Sequence, residues 1–210
     1  MIRILIGDDH TLLREGLKHI LTETASFVVA GEAASGQEVL RRLRESRYDV
    51  VLLDISLEDR SGLDVLKQIR VEWPALPVLV LTMHPEEEYA VRALRAGAAG
   101  YLTKKSAPTE LVAAIQKVTR GGRYVSASLG EVLARTLQPT VPAATHEALS
   151  DREFQVFEML VSGTRPNEIA KHLGVSVKTI STHRARILAK MKMPTVAALI
   201  RYAVENGVLK

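Results

Sequence analysis

The chain has no cysteine among its 210 residues. That excludes a disulfide scaffold and thiolate metal centres, and it suits a reducing cytoplasm. No apolar run approaches the ~20 residues of a membrane-spanning helix, so no membrane is expected as a partner. The stretch Met1-Ile2-Arg3-Ile4-Leu5-Ile6 lacks a basic leader and runs into Asp8 and Asp9, so a secretory signal is not expected. Acid is missing locally: from Ile169 to Val204 there is none, against seven bases. Residues 1–122 hold 16 Lys+Arg against 17 Asp+Glu, residues 123–147 two of each, and residues 148–210 ten against five. A near-neutral first part and a basic last part predict two domains, the second meeting a polyanion.

What is present begins with Val50-Val51-Leu52-Leu53-Asp54, four branched apolar residues ending in a carboxylate. Such a run reads as a parallel strand buried on both faces, with the acid at its C-terminal mouth. Ile2–Ile6, Phe27–Ala30, Pro77–Leu81 and Gly100–Thr103 read as four further strands. Helical spacing follows each: Leu12, Leu13, Leu17, Ile20 and Leu21 behind a Thr11 cap; Val39, Leu40 and Leu43 behind Ser35; Leu63, Val65, Leu66 and Ile69; Glu86–Ala96; and Pro108 to about Arg120. Five strand–helix units in residues 1–122 predict an α/β fold, a five-stranded doubly wound parallel sheet of flavodoxin-like type with right-handed crossovers.

Asp8, Asp9, Asp54, Thr82 and Lys104 then fall at the C-terminal ends of strands one, three, four and five, the edge where open α/β sheets bind ligands. Three carboxylates at one place repel one another unless a cation intervenes. With no Cys or His among them, a hard divalent ion such as Mg²⁺ is the natural guest. A hydroxyl and an ammonium opposite them suit an incoming phosphoryl group, for which one carboxylate could be the nucleophile. Singly, these residues are equally well a helix cap, a strand-end Thr and a solvated Lys.

These elements, with Gly62 and the run Ala96-Gly97-Ala98-Ala99-Gly100-Tyr101, resemble the receiver domain of bacterial two-component response regulators. The resemblance implies that Asp54 accepts a phosphoryl group from a sensor histidine kinase. It implies that Asp8, Asp9, Asp54 and the Ser56 backbone carbonyl hold Mg²⁺, that Lys104 pairs with the phosphoryl group, and that Thr82 and an inward-turning Tyr101 form the switch. Departures are Glu58-Asp59-Arg60 where the family often has a proline, bulky Met83 and His84 after Thr82, and Lys105 beside Lys104. They suggest a less rigid loop, weaker phosphodonor access and an altered phosphoryl lifetime.

Residues 123–147 read as a connection. Ser126 starts a helix with Leu129, Val132, Leu133 and Leu137 on one side, and the uncharged, two-proline run from Gln138 to Thr145 is a linker. Residues 148–210 read as a small all-α domain of four helices. Ser150-Asp151-Arg152-Glu153 is a capping box. A short helix Pro166–Leu173, a Gly174 turn and a longer basic helix from Val177 to about Met191 form a helix-turn-helix; a fourth helix runs from Thr195 to Glu205. Lys178, Thr179, Ser181, Thr182, Arg184, Arg186 and Lys190 lie off the Ile180, Ile187 and Met191 side, as a helix for the major groove requires.

Leu149–Glu153, Asn167–Ala170, Ser176–His183, Ile187 and Lys190-Met191 resemble the LuxR-type DNA-binding domain. That implies a recognition helix at Val177–Met191, dimer contacts by the fourth helix, and packing or a phosphate contact for His183. The whole chain then resembles a cytoplasmic, phosphorylation-switched transcription regulator. Its expected partners are a histidine kinase, double-stranded promoter DNA, a second copy when phosphorylated, and RNA polymerase. It is not expected to be an enzyme beyond its own phosphoryl transfer and dephosphorylation. A rival reading keeps the DNA binding and makes residues 1–122 a static dimerisation or docking module. A third, a Mg²⁺-dependent phosphatase, lacks the second acid at Ser56.

Overall fold

The computed structural model describes residues 1–84, 86–106, 108–136 and 145–208. The chain forms two units, residues 1–137 and 138–210.

The first unit is built on five parallel strands, β1 (Ile2–Gly7), β2 (Phe27–Ala33), β3 (Val50–Leu53), β4 (Val78–Thr82) and β5 (Gly100–Thr103), in the order β2-β1-β3-β4-β5. Helices α1 (Thr11–Thr22), α2 (Gly36–Glu45), α3 (Gly62–Glu72), α4 (Glu86–Arg95) and α5 (Pro108–Thr119) make the crossovers. The two-residue period of the strands sorts the core. Ile4, Ile6, Val50, Leu52, Leu79, Leu81 and Leu102 meet Leu17 and Leu21 of α1 and Leu111, Ala114, Ile115 and Val118 of α5. The intervening Leu5, Val51, Leu53, Val80 and Tyr101, equally buried, are left for α2, α3 and α4 on the other face. Fully burying one such aliphatic side chain is worth about 1.5–3 kcal/mol, so this double-sided burial is what holds the strand ends in register.

Three local expectations change. β2 runs three residues beyond Ala30, pairing Gly31, Glu32 and Ala33 with Leu5, Ile6 and Gly7 across an irregularity after Ile4. It is the edge strand, and the added Gly31 and Glu32 are half-buried and carry no apolar signal. Thr11 is the first residue of α1 rather than its cap; His10 stands at the cap without a side-chain bond. The loop 56–61 is tied down. Ser56 and Ser61 form an isolated antiparallel bridge, and the Asp59 carboxylate accepts hydrogen bonds from Gly36 and Gln37 N–H at 2.7 and 2.9 Å. Asp59 thus caps the N-terminus of α2, where a carboxylate also opposes the helix dipole. The loop expected to be less rigid without a proline is anchored by Asp59, and Glu58 is exposed.

Gly62 explains how α3 begins. A Cβ there would run into the Asp54 carbonyl oxygen, because the first turn of α3 lies directly on the β3–α3 chain. Gly62 N–H donates to Ile55 O at 2.8 Å, fixing the same approach.

Helix α6 (Ala127–Thr136) also belongs to this unit. Ser126 caps it, accepting from Leu129 N–H at 3.0 Å. Tyr124 N–H donates to Ala99 O, and α6 packs along α4. Ser126 and Ser128 hydroxyls donate to the Glu86 carboxylate at the start of α4, at 2.7 and 2.5 Å. The linker expected at Gln138–Thr145 lies outside the described residues except for Thr145, which opens a 3-10 turn to Ala148.

The second unit contains α7 (Asp151–Val161), α8 (Pro166–His172), α9 (Val177–Lys190) and α10 (Val196–Glu205). The Ser150–Glu153 capping box is formed. Gly174, at φ +61°, turns α8 toward α9, which Ser176 caps by accepting from Thr179 N–H. Phe154, Phe157, Ile169, Ile180, Ile187 and Leu199 close the core. Lys190 Nζ donates to Glu153 Oε2 at 2.5 Å, tying the end of α9 to the start of α7. Burial raises the Glu153 carboxyl, but the Lys190 ammonium and the Ser150 donors outweigh it and hold the group below its ordinary range.

Two outcomes are expected. Gly62→Ala forces α3 off the Asp54 carbonyl, so it lowers the melting temperature and slows chemistry at Asp54 together. A variant as stable and as reactive as wild type would show the approach to be looser than drawn. Glu153→Gln destabilises the second unit by about 1–2 kcal/mol at neutral pH. A depressed carboxyl contributes stability above its unfolded pKa and loses it as pH falls through the folded one. The melting difference between wild type and variant therefore shrinks below about pH 4.

Candidate functional site

The sheet order reverses direction between β1 and β3, and the site lies at that point, beyond the strand C-termini. β1 delivers Asp8 and Asp9, β3 Asp54, β4 Thr82 and β5 Lys104; all five residues named from the sequence meet at one edge. Asp54 and Thr82 are 2% and 0% exposed. Lys104 Nζ, on a side chain also 2% exposed, lies 2.6 Å from Asp54 Oδ2 and 2.7 Å from Asp8 Oδ2. Asp54 Oδ1 accepts from Ser56 N–H at 3.2 Å. The Thr82 hydroxyl is buried and has no hydrogen-bond partner among the described residues.

Asp8, Asp9, Asp54 and His10 each present a ligand atom within 4.8 Å of the others. Two carboxylates about 4 Å apart repel by about 4 kcal/mol at an effective dielectric near 20. A single Lys104 ammonium leaves that repulsion incompletely answered. Burial, with the Asp54 and Asp8 charges, holds the Asp9 carboxyl above its ordinary range, while His10 pulls it the other way. Asp9 Oδ1 is buried and receives no well-directed hydrogen bond, although His10 Nδ1 lies 2.6 Å away. Three carboxylates with one imidazole at their margin, and a buried Asp9 oxygen without a well-directed hydrogen bond, fit a divalent cation held mainly by oxygen.

Several contributors escaped the sequence reading. His10 follows the acid pair directly, and that adjacency was its signal. Arg14, one helical turn later, reaches back so that Nη1 donates to Asp8 O at 2.5 Å. Ser56 Oγ and His84 Nε2 share a hydrogen bond of 2.9 Å. Tyr101, expected to turn inward as a switch, is already fully buried, and its hydroxyl donates to His84 O at 2.9 Å. Met83 and Lys105 are exposed.

In the second unit α9 sets Lys178, Ser181, Thr182, Arg184 and Arg186 in solvent, opposite or beside buried Ile180 and Ile187. The Ser181 and Thr182 hydroxyls donate to Val177 O and Lys178 O, and the Thr179 hydroxyl, half-buried, bonds Ser176 Oγ. Lys190 is engaged by Glu153. His183 is half-buried with Nδ1 unpartnered. Burial, then the Arg152 and Arg186 charges, keep its imidazole below the ordinary range against Glu153, so it adds no positive charge at neutral pH.

Residues 4–116 match the response regulator receiver domain family, and residues 147–203 match the bacterial regulatory proteins of the luxR family. The chain is 34% identical over 208 residues to response regulator UvrY of Escherichia coli K12, covering 99% of this chain and 95% of that one. It is 34% identical over 210 residues to response regulator GacA of Pseudomonas aeruginosa, covering 100% and 98%. Among solved structures, RcsB of Salmonella enterica serovar Typhimurium, bound to promoter rprA with the phosphomimetic BeF3⁻, is 25% identical, with a TM-score of 0.67 and coverage of 96% and 97%. Sheet order, site and matches agree: the chain belongs to the two-component response regulators, transcription regulators that join a phosphorylation-switched receiver domain to a LuxR-type DNA-binding domain.

Proposed function

We propose that Asp54 is the phosphoacceptor and that its phosphorylation controls DNA binding through α9. The observation that carries the reading is the arrangement at Asp54: a buried carboxylate between the Lys104 ammonium and the Ser56 N–H, with the unpartnered Thr82 hydroxyl at the next strand end. An Asp54 oxygen attacks the phosphorus of a kinase phosphohistidine. The new O–P bond forms as the P–N bond breaks, and the electron pair leaves with the imidazole. Lys104 pairs with the transferred group, and Thr82 donates a charge-assisted hydrogen bond to it. Asp8, Asp9, Asp54 and the Ser56 carbonyl would hold Mg²⁺, which supplies charge neutralisation for the transferring phosphoryl group. Beyond this self-directed chemistry the protein is a regulator rather than an enzyme, working in the cytoplasm.

The output side follows from α4. Thr82 moving toward a phosphoryl group shifts the chain that leads to His84 and Glu86, and Glu86 holds α6. The α4 side of the first unit therefore carries the root of the connection. In the second unit, α9 enters the major groove. Lys178, Arg184 and Arg186 meet phosphates or guanine, and Ser181 and Thr182 permit close approach. Thr179 sits at the margin of that surface, Lys190 braces Glu153, and His183 packs. Two copies on two half-sites would make the promoter complex, with RNA polymerase as a further partner.

Intact mass after incubation with acetyl phosphate and Mg²⁺ tests the first half. Wild type gains a single phosphoryl adduct, lost with chelator, and Asp54→Asn gains none. Failure with both acetyl phosphate and kinase phosphohistidine would return residues 1–122 to a static docking module. For the second half, Lys178→Ala weakens binding across operator sequences alike and lowers the slope of log affinity against log salt by about one. An unchanged slope would remove Lys178 from the phosphate contacts.

A further inference from the structure

We propose that a cavity at the opposite edge of the receiver sheet from Asp54 is a binding site for a small organic oxyanion, a phosphate or carboxylate head on a compact apolar body. The cavity measures about 310 Å³, the small end of the range for ligand pockets. It lies where β4 and β5 begin. Pro77 and Ala99, each one residue ahead of its strand, line it with Ala98 and with Val118 of α5. These form an apolar wall. The polar reach comes from Arg70, in the last turn of α3, and Arg123, beyond the end of α5. Among the described residues no Asp or Glu lines the cavity. The site is independent of the chemistry at Asp54.

Charge decides the class of ligand. The arginines of α2 are each answered by a carboxylate: Arg41 and Arg42 by Glu38, Arg44 by Glu72. The two at the cavity are not. Arg70 is half-buried, and its one hydrogen bond among the described residues runs from Nη1 to Leu76 O at 3.4 Å, which is long. A guanidinium carries five N–H donors in a rigid fork, so most of its capacity is unspent. Arg123 is exposed, and its side chain has no ion pair or hydrogen bond among the described residues. Helix ends nearby could in principle neutralise both, since a helix C-terminus carries partial negative charge. At α4 and α5 the last carbonyls are already used. Gly97 and Ala98 N–H donate to Leu94 O and Ala93 O, and Gly121 and Gly122 N–H to Val118 O and Lys117 O. Gly97, at φ +100°, also makes room for Arg70: a Cβ there would stand 3.0 Å from Arg70 Cγ and 3.1 Å from Nε. The fork therefore lies across the cavity's edge with no anion to hold, the arrangement that takes an oxyanion through two parallel hydrogen bonds.

The full chain, free of Mg²⁺, is titrated with phenyl phosphate, with benzoate and with neutral benzyl alcohol, and amide chemical shifts are followed. At least one of the two acids is expected to saturate, in roughly the millimolar range for probes this small. The shifts centre on Ala98, Ala99, Gly121 and Gly122, and benzyl alcohol leaves those amides unmoved at the same concentration. The tighter acid identifies the head group. Arg123→Ala changes an exposed side chain, and Arg70→Met keeps the apolar stem while removing the fork. Each is expected to weaken binding about ten-fold or more, the loss of a charge-assisted hydrogen bond. Asp54→Asn binds the probe as wild type does. Absence of a saturable shift at those amides would overturn the site. So would shifts confined to the strand mouths around Asp54, equal shifts with benzyl alcohol, or wild-type affinity in either arginine variant.

Discussion

Crowding of carboxylates at the mouths of β1 and β3 is the constraint that the receiver is built around. Asp8 and Asp54 stand on adjacent strands, and Asp9 follows Asp8 in the chain. No arrangement of this sheet separates them by much. The Lys104 ammonium is shared between Asp8 and Asp54, and in a site this dry it is the cheapest local answer to their repulsion. It is also incomplete, since the ammonium reaches Asp8 and Asp54 and leaves Asp9 to His10. Much of the surrounding structure serves to keep the crowd in place. Arg14 holds the Asp8 carbonyl, Ser56 N–H holds Asp54 Oδ1, and Gly62 lets α3 press on the Asp54 backbone. A phosphoryl group adds negative charge at the same point. On the proposed reading, Lys104 would then be redistributed and Thr82 would gain a hydrogen-bond partner.

That response has a direction because the neighbours of Thr82 are unequally held. Tyr101 already occupies the inward position, bonded to the His84 carbonyl. The Thr82 hydroxyl has no hydrogen-bond partner among the described residues, and α4 beyond it opens on Glu86. Glu86 accepts from two serines at the start of α6, so a displacement at the head of α4 reaches the helix from which the connection departs.

Most of this fold was legible because its signals are local and repeated. Buried parallel strands need runs such as Val50–Leu53, and the end of each run marks where chemistry can sit. What was missed depends on partners distant in sequence. β2 continues through Glu32 because β1 pairs with it, not because its own residues are apolar. Asp59 reads in the sequence as an extra acid near Asp54, and the N-terminus of α2, 22 and 23 residues earlier, turns it into a cap. His84 was visible as a bulky residue near the site, but not its bond to Ser56, whose formation requires β3 and β4 to be neighbours. The reach of Arg14 was readable in principle from its spacing to His10 on one helix face.

The same reasoning separates the basic residues of α9, which composition treats alike. Lys190 is engaged by Glu153, whose carboxylate also completes the cap of α7, so its charge is committed to the fold. His183 is kept neutral by burial and by the guanidiniums beside it. Lys178, Arg184 and Arg186 remain in solvent. Ser181 and Thr182 satisfy their hydroxyls on their own helix, which leaves a face between the long basic side chains that is short and internally hydrogen-bonded. Phosphates can be met there without first breaking a bond that the fold needs. The helix is thus ready for a polyanion on one side and pinned on the other, and the pinning carboxylate keeps the basic charge from being uniformly available.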